Sequence, residues 1–140
     1  MYILLALLLT GCLTADLRAH ATTTPVATEQ DVRVAQRWLA QLDAHQYAAS
    51  WATTSAHFRS LMTQATWEQA SRTYREPLGA LLSRSALTTQ YTQAVPGLPP
   101  GHYAGMSFQS SFAKQPTAIE TVLLLKDADG HWKVAGYTIK

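Results

Sequence analysis

The feature that most constrains the fold is the stretch from residue 119 to residue 140, IETVLLLKDADGHWKVAGYTIK, which has the pattern of a β-hairpin. Asp127–Gly130 separates two runs of β-forming residues, and Asp and Gly are the residues that tight turns favour. The first run, up to Leu125, is apolar on both faces. This is typical of a strand that is central in its sheet and covered on both sides. In the second run the alternation slips near Gly136, which indicates either a β-bulge or a close approach of another backbone segment.

Two strands and a long loop are predicted before this hairpin. Leu82–Ala94 is rich in Thr and Ser and alternates in hydrophobicity, so it predicts the first strand. Residues 95–101 contain three Pro and two Gly and predict a loop. Tyr103–Ala113 predicts a half-buried antiparallel strand, and residues 114–116 predict the turn into the hairpin. The apolar residues of that strand share one face: Ala104, Met106, Phe108 and Phe112.

The first half of the domain has helical spacing. Thr28 is a candidate N-cap, and apolar residues recur at helical intervals from Val32 to Leu42, which predicts an amphipathic helix. Glu76-Pro77 is expected to end the last helix, because the residue before Pro avoids helical angles. Shorter helices are expected around Tyr47–Trp51 and Phe58–Met62, followed by a helix that Thr66 caps.

Aromatic and basic residues of this half suggest either structure or a binding site. Large aromatic side chains at helical spacing are expected in the core more often than around a ligand. The basic group is expected to form a solvated face with one or two salt bridges rather than an anion site. The aromatic residues are Trp38, Trp51, Trp67 and Tyr74, and the basic residues are Arg72, Arg75 and Arg84.

The order of elements and the composition together predict one α+β domain over residues 28–140. Helices come first and strands follow as a meander, which favours N-terminal helices packed on a curved four-stranded antiparallel sheet. The chain has 140 residues, of which 47% are hydrophobic and 14% are charged. The net charge is +2, and the Lys and Arg residues are scattered, so a nucleic-acid partner is not expected.

The first residues have the pattern of an export signal. Residues 1–9, MYILLALLL, form an apolar run that is too short to span a bilayer. The following Leu9-Thr10-Gly11-Cys12 resembles a bacterial lipobox, which implies cleavage between Gly11 and Cys12 and a diacylglycerol on the Cys12 thiol. Cys12 is the only cysteine, so an intrachain disulfide is excluded and lipidation would account for a single thiol. The alternative is an amphiphilic N-terminal helix with an incidental cysteine.

These observations divide the chain into a signal peptide at residues 1–11, a lipidated Cys and flexible tether at 12–27, and the domain. We therefore expect an exported protein that is lipid-anchored to a bacterial membrane, with the outer membrane favoured over the inner one. The domain would face the periplasm. Residues 13–27 are rich in Ala and Thr and have no sustained period, which is typical of a tether.

A set of motifs occurs in order over most of residues 31–140: Ala48–Trp51, Trp67, Arg75–Gly79, Arg84, Pro96–Pro99, Gly101–Tyr103, Phe108, Phe112, Glu120–Val122 and Asp129–Tyr137. Together these motifs resemble the bacterial domain-of-unknown-function 4019 family. The resemblance implies a fold similar to the cystatin-like, nuclear transport factor 2-like cone, in which a bent sheet wraps around helices. The family has no assigned activity, so no catalytic residue is implied.

Most common kinds of chemistry have no sequence support. The five histidines are widely spaced and include no pair at i and i+4, so no metal site is expected. The sequence has no Gly-x-Ser-x-Gly elbow, phosphate-binding Gly-rich loop or dinucleotide fingerprint, and no cofactor is predicted.

Glu120 is the residue with the sharpest functional hypothesis. In a cone with an apolar pocket, an acid and one Tyr or His can act as a proton-transfer pair. The simpler hypothesis, which we favour, is that Glu120 pairs with Arg75 or Arg84 and joins the helices to the sheet, since structural ion pairs also perturb acids. The candidate proton-transfer partners are Tyr74, Tyr103 and His102.

The sequence therefore predicts a non-enzymatic binding module of the cell envelope. Its partner would be an envelope protein or a small apolar ligand, bound at the open face of the sheet or the mouth of the cone. One alternative is a small-pocket enzyme that uses acid–base chemistry inside the cone. A second alternative is a structural dimer formed through an apolar outer sheet face.

Overall fold

The structure is a computed structural model that describes residues 28–140, and it confirms the α+β class. The signal peptide and tether predicted for residues 1–27 lie outside the described residues. No helix of the described part is long and apolar enough to cross a membrane. The helices are α1 (Glu29–Asp43), α2 (Tyr47–Ala52), α3 (Ala56–Leu61) and α4 (Gln64–Arg75), followed by a 3-10 turn (Glu76–Leu78). The strands are β1 (Leu81–Thr92), β2 (Tyr103–Phe112), β3 (Gln115–Lys126) and β4 (Trp132–Ile139).

The four strands form one antiparallel sheet in the order β1-β2-β3-β4, so the predicted meander is confirmed. The register of β3 and β4 shifts between the pairs Leu123–Gly136 and Leu124–Val134, which leaves Ala135 as an extra residue. This is the bulge that the sequence predicts near Gly136. The cone-like closure implied by the family resemblance stays a prediction.

Local hydrogen bonds set the helix starts. The Thr28 hydroxyl accepts from the backbone N–H of Asp31 at 3.3 Å, so the predicted cap of α1 is confirmed. The prediction that Thr66 caps α4 is wrong. Thr63 is the cap, and its hydroxyl accepts from the backbone N–H of Thr66 at 3.2 Å. A Thr three residues earlier provides the same chemistry and gains one more helical turn, so α4 begins at Gln64.

The core lies between the helices and one face of the sheet, which we call the inner face. The apolar stripe of α1, including Trp38 and Leu39, is buried there, as the helical spacing predicts. Trp67 of α4 joins it, and the Trp38 and Trp67 rings lie 5.7 Å apart. The buried strand residues alternate as expected: Ala104, Met106, Phe108, Val122, Leu124 and Val134.

The opposite, outer face of the sheet differs from the prediction. β3 is central, between β2 and β4, but the prediction that it is covered on both sides is wrong. Ile119 is 37% exposed, and Leu123 is half-buried, because the described helices all pack on the inner face. The Pro-rich loop covers part of one end of this face. There the Tyr103 hydroxyl donates to the Pro99 carbonyl at 2.5 Å, and Tyr103 is fully buried.

Candidate functional site

The polar centre of the domain is a group of ionisable side chains on the inner face, which we call the ion cluster. Each member is supplied by a different element: the ends of α1 and α4, and the strands β1, β3 and β4. The members are Asp43, Arg75, Arg84, Glu120 and Tyr137, and Ser110 of β2 donates to the cluster.

The strand register explains how the cluster assembles. Arg84 lies opposite Ser110 in the β1–β2 pairing, and β3 brings Glu120 to the position opposite Phe108. Side chains two positions apart on neighbouring strands share one face and lie within reach of long side chains. Glu120 can therefore contact Ser110 and Arg84 from the same face. Arg75 is the last residue of α4, and the turn that follows it contains Pro77, which has no backbone N–H with which to continue the helix.

The Glu120 carboxylate is fully buried and accepts four hydrogen bonds. Its Oε1 atom accepts from Arg75 Nη1 at 2.6 Å and from the Tyr137 hydroxyl at 2.7 Å. Its Oε2 atom accepts from Arg84 Nε at 2.7 Å and from the Ser110 hydroxyl at 2.5 Å. A carboxylate offers about four lone-pair sites, so the hydrogen-bonding capacity of Glu120 is filled.

Asp43 is the second carboxylate of the cluster. Its Oδ1 atom accepts from Arg75 Nη2 at 2.5 Å and from Arg84 Nη2 at 3.0 Å, and its Oδ2 atom accepts from Arg84 Nη1 at 2.7 Å. The Arg84 fork thus binds the Asp43 carboxylate with two nitrogens, the geometry that makes such pairs strong. Two guanidinium groups and two carboxylates give the cluster no net charge.

The surroundings of Arg75 explain how a charged side chain tolerates burial. Its guanidinium carbon lies 5.4 Å from the centre of the Phe112 ring and 5.8 Å from that of the Tyr137 ring. Arg75 also hydrogen-bonds to the Tyr137 hydroxyl. The rings attract the cation through their faces, and both carboxylates neutralise it. The residue is therefore held between charge partners and aromatic packing.

The pKa of Glu120 reflects these contacts. Burial alone would raise its pKa, but the hydrogen bonds from Ser110 and Tyr137, together with the charges of Arg84 and Arg75, hold the pKa below its usual value. Burial and the neighbouring Glu120 raise the pKa of Tyr137. Both shifts move these groups away from neutral pH. A general acid or base works best when its pKa lies near the working pH, so the ion cluster is poorly suited to proton transfer.

The contacts of Glu120 agree with the simpler of the two hypotheses, in which it pairs with an arginine. Glu120 forms ion pairs with both Arg75 and Arg84. The two arginines are 5% and 10% exposed (the latter for the side chain), so the expectation that they belong to a solvated face is wrong. Arg72 does fit that expectation, since it is exposed and pairs with Glu68 at 3.0 Å. Arg72 lies about one helical turn before Arg75, and its guanidinium carbon lies 5.9 Å from the centre of the Tyr47 ring.

The three proposed proton-transfer partners do not reach Glu120. Tyr74 is 68% exposed, and the expectation that it lies in the core is wrong as well. Tyr103 lies five residues before Phe108 on β2, so the pleat places it on the outer face. His102 is exposed just before β2. The hydroxyl that contacts Glu120 belongs to Tyr137 instead.

Sequence reasoning missed Asp43 and Tyr137 as members of the cluster. Asp43 follows the apolar stripe of α1 and looks like part of a helix end. Tyr137 follows the bulge at Ala135, and the bulge shifts by one residue the position on β3 that Tyr137 faces. A signal for Tyr137 was present, because folding the hairpin on Asp127–Gly130 brings β4 back beside Glu120.

A cleft of about 520 Å³ opens beside the cluster and is partly bounded by Asp43, His45, Arg75 and Phe112. The Asp43 side chain is 19% exposed, so this carboxylate is the part of the cluster nearest to solvent. Its hydrogen bonds to the two arginines leave it neutralised. Within residues 28–140, no group of three or more His, Cys, Asp or Glu side chains is arranged to hold a metal ion.

The fold and the site define a class of protein: a single α+β domain whose helices are joined to a meander sheet by a buried, neutral ion cluster. The sequence profile of the family described as "Protein of unknown function (DUF4019)" matches residues 34–137, and the chain belongs to this family. The matched segment contains the whole ion cluster, from Asp43 to Tyr137. No curated protein gives a significant sequence match to the chain.

A second polar contact joins α1 to β1 away from the ion cluster. The Tyr91 hydroxyl donates to Asp31 Oδ2 at 2.6 Å, and Asp31 is 8% exposed. Burial, together with the hydrogen bond to Asp31, raises the pKa of Tyr91 to about 12. Because a protonated Tyr91 is favoured in the folded state, its contribution to stability is present at neutral pH and is lost as the pH rises from 10 towards 12.

We expect Tyr91→Phe to lower the free energy of unfolding at neutral pH by about 1.5 kcal/mol, because a buried carboxylate loses its donor. The variant should also lose less stability than the wild type as the pH rises from 10 to about 12. Chemical denaturation at several pH values, together with the ultraviolet absorbance of tyrosinate, measures both effects. Equal alkaline losses in the two proteins would contradict the assignment.

Proposed function

We propose that this protein is a membrane-tethered, non-enzymatic binding module of the bacterial envelope. The observation that carries the proposal is the ion cluster, in which every charged group is neutralised by another member. A cluster whose charged groups are all engaged with one another has no free acid or base to offer a substrate. Its surfaces and its attachment to a membrane then become the properties on which a function can rest.

The packing beside the cluster supports the same proposal. The space between the helices and the sheet is filled by Trp38, Trp67 and Phe58, and the rings of Phe58 and Trp67 lie 5.4 Å apart. Trp38 Nε1 donates to the Ser50 carbonyl at 3.0 Å, and Trp67 Nε1 donates to the Ser50 hydroxyl at 2.9 Å. These side chains are satisfied as well as buried, so they act as core residues.

The membrane attachment rests on the sequence of residues 1–12. Cleavage before Cys12 would leave the mature chain with acyl chains at its N-terminus, and each buried methylene adds about 0.8 kcal/mol to membrane binding. Residues 13–27 would then separate the domain from the membrane surface. Diacylglycerol on Cys12 is therefore part of the proposal, and the bacterial outer membrane is the favoured location.

The alternative function is a small-pocket enzyme in a nuclear transport factor 2-like cone with Glu120 as its acid or base. The low pKa of Glu120 and its four hydrogen bonds speak against this alternative. The two hypotheses differ for the Glu120→Gln variant. Loss of stability without any ligand favours the structural role. Unchanged stability with loss of turnover of an envelope metabolite would favour the enzyme.

We expect Cys12→Ser to abolish membrane anchoring. In a bacterial host, the wild type should incorporate radiolabelled palmitate and fractionate with membranes, whereas the variant should remain unlabelled because its only thiol is gone. Thr14→Ser is the matched control and should behave as the wild type. Equal labelling or equal membrane partition of the Cys12→Ser variant would contradict the lipobox prediction.

The binding role has its own test on the anchored full chain. Native electrophoresis of solubilised envelopes should show the wild type in a discrete complex that is heavier than the chain alone. Two results together would replace the proposal by the enzyme alternative. The protein would migrate alone, and Glu120→Gln would lose turnover of a metabolite while its stability is unchanged.

A further inference from the structure

One surface of the domain combines an apolar groove with an open strand edge. The groove lies between α4 and the second half of β4, and we call it the α4–β4 groove. Its volume is about 280 Å³. Its apolar character comes from Met62, Trp67, Ala70, Tyr74, Tyr137 and Ile139.

The groove has exposed apolar side chains and no free charge. Tyr74 is 68% exposed, and Leu61, which precedes the lining residue Met62, is 70% exposed. Large exposed apolar side chains beside a groove are typical of interaction sites. Arg75 is the charged residue in the lining, and Glu120 and Asp43 neutralise it. By charge complementarity, the groove suits uncharged side chains.

The edge of β4 beside the groove has open hydrogen-bonding groups. Lys140 exchanges backbone hydrogen bonds with Ile119 of β3 at 2.9 and 3.0 Å, so its backbone faces β3. In an antiparallel pair, successive residues alternate between facing the partner strand and facing away. The backbone N–H and C=O groups of Ile139 and Tyr137 therefore face away from β3. Within residues 28–140 they have no hydrogen-bond partner.

The first half of the same edge is bonded to another segment at one position. The backbone N–H of Ser55, just before α3, donates to the Val134 carbonyl at 2.8 Å. This contact shows that Val134 also faces outward and that another segment can bond to this edge. Tyr137 and Ile139 are the open positions of this edge that lie beside the groove.

A buried hydroxyl in the groove lining also lacks a partner. Ser71 of α4 is 5% exposed, and its Oγ atom has no hydrogen-bond partner among the described residues. Buried polar atoms nearly always have a partner, so an unsatisfied one calls for an explanation. The Oγ atom is itself shielded from solvent, so this hydroxyl marks the inner wall of the groove and is not a contact point for a ligand.

We propose that the α4–β4 groove binds an extended peptide segment of a partner protein by β-strand addition. The peptide backbone bonds to Tyr137 and Ile139, and uncharged apolar side chains of the peptide enter the groove. This inference rests on the proposed binding function and names its site and the chemistry of its partner. It is the general mode in which an edge strand provides affinity and a neighbouring pocket provides selectivity.

The dimensions favour a peptide over a small molecule. Pockets that bury small ligands have volumes of about 300–1,000 Å³; this groove lies near the lower end of that range and is partly open, so it does not enclose a ligand. A volume of about 280 Å³ takes one or two apolar side chains. A strand along the edge would supply these from alternate residues, at a spacing of about 7 Å.

Photo-crosslinking in living cells tests the site on the full, anchored chain. Benzoylphenylalanine at position 74 should yield a discrete adduct with another protein. The same residue at position 87, where Leu87 is exposed on β1 at the far edge of the sheet, should yield about tenfold less. An adduct of the chain with a second copy, or with its own residues 1–27, would overturn the proposal.

A blocking variant distinguishes the groove from the rest of the surface. Ala70→Trp should fill the groove and reduce the crosslinked adduct by about tenfold, while Ala65→Trp on an exposed position of the same helix should not. Loss of the adduct in both variants, or in neither, would overturn the site. If the native complex persists without a crosslink at position 74, the binding function stands and the groove is wrong. If the complex is also absent, the binding function itself fails.

Amide exchange gives an independent test of the strand edge. The probe is a synthetic peptide with the sequence of the crosslinked segment. The amide protons of Tyr137 and Ile139 should exchange rapidly in the free full chain and about tenfold more slowly with saturating peptide. Gly136 and Thr138 face β3 and should be protected in both states. Unchanged exchange at Tyr137 and Ile139 with bound peptide would exclude strand addition.

Discussion

Glu120→Gln is expected to lower the free energy of unfolding by about 3 kcal/mol, because it leaves two buried guanidinium groups with one carboxylate between them. Removal of one partner from a buried pair costs more than the pair contributes, since the remaining charge stays away from water. Urea denaturation followed by tryptophan fluorescence measures the effect. A change below about 0.5 kcal/mol, the range of ordinary surface substitutions, would contradict the structural role of Glu120.

Two further variants make this result specific. Glu29→Gln removes a carboxylate that pairs with Arg33 in solvent, and it should change the free energy of unfolding by less than about 0.5 kcal/mol. The double variant Arg84→Met and Glu120→Gln removes one charge of each sign and leaves Arg75 with Asp43. Because charge balance is restored, its loss should be smaller than the sum of the two single losses.

The pH dependence of stability follows from the same residue. The pKa of Glu120 is lower in the folded chain than its usual value near 4.3, so its contribution is fully present above that value. The contribution disappears as the pH falls through the folded-state pKa. The wild type should therefore lose stability in acid, and Glu120→Gln should lose less over the same range.

Trp38→Ala is expected to lower the free energy of unfolding by about 4 kcal/mol, because it leaves a cavity in the centre of the core. Trp38 is 4% exposed, its ring contacts those of Trp67 and Tyr137, and its Nε1 donates to the Ser50 carbonyl. Truncation removes all of these contacts at once. Urea denaturation measures the loss, with the refolded variant checked for native circular dichroism.

The matched control for this prediction is Tyr74→Ala. Tyr74 shares the helical spacing of the tryptophans, but it is 68% exposed, so its truncation should cost less than about 0.5 kcal/mol. Similar losses for the two variants would mean that the core does not lie on the inner face as described. A stable Tyr74→Ala protein is also suitable for studies of the α4–β4 groove.

Much of the fold could be predicted from local patterns. The hairpin around Asp127–Gly130, the meander and the start of α1 each depend on residues that are close in sequence, and all three are confirmed. The wrong cap was predicted for α4 because Thr63 and Thr66 are chemically equivalent, and the sequence alone does not show which of them begins the helix. The prediction that β3 is covered on both sides was wrong because apolar residues on both faces of a strand do not show which face other elements cover.

The ion cluster was predictable in part. Glu120 is the single charged residue between Lys114 and Lys126, and its pairing with Arg75 or Arg84 is predicted from the sequence. Asp43 and Tyr137 were missed because their contacts depend on where α1 ends and on the shift in register at Ala135. Such details result from tertiary packing, which composition and periodicity do not encode.

The ion cluster also has a kinetic consequence. Its hydrogen bonds join residues that are 41, 45 and 62 positions apart in the chain: Asp43 with Arg84, Arg75 with Glu120, and Arg75 with Tyr137. Such long loops must close before the contacts form, so the cluster is expected to assemble after the rate-limiting step of folding. Contacts absent from the transition state slow unfolding with little effect on folding. The buried charges are therefore expected to slow unfolding and to lengthen the lifetime of the folded domain.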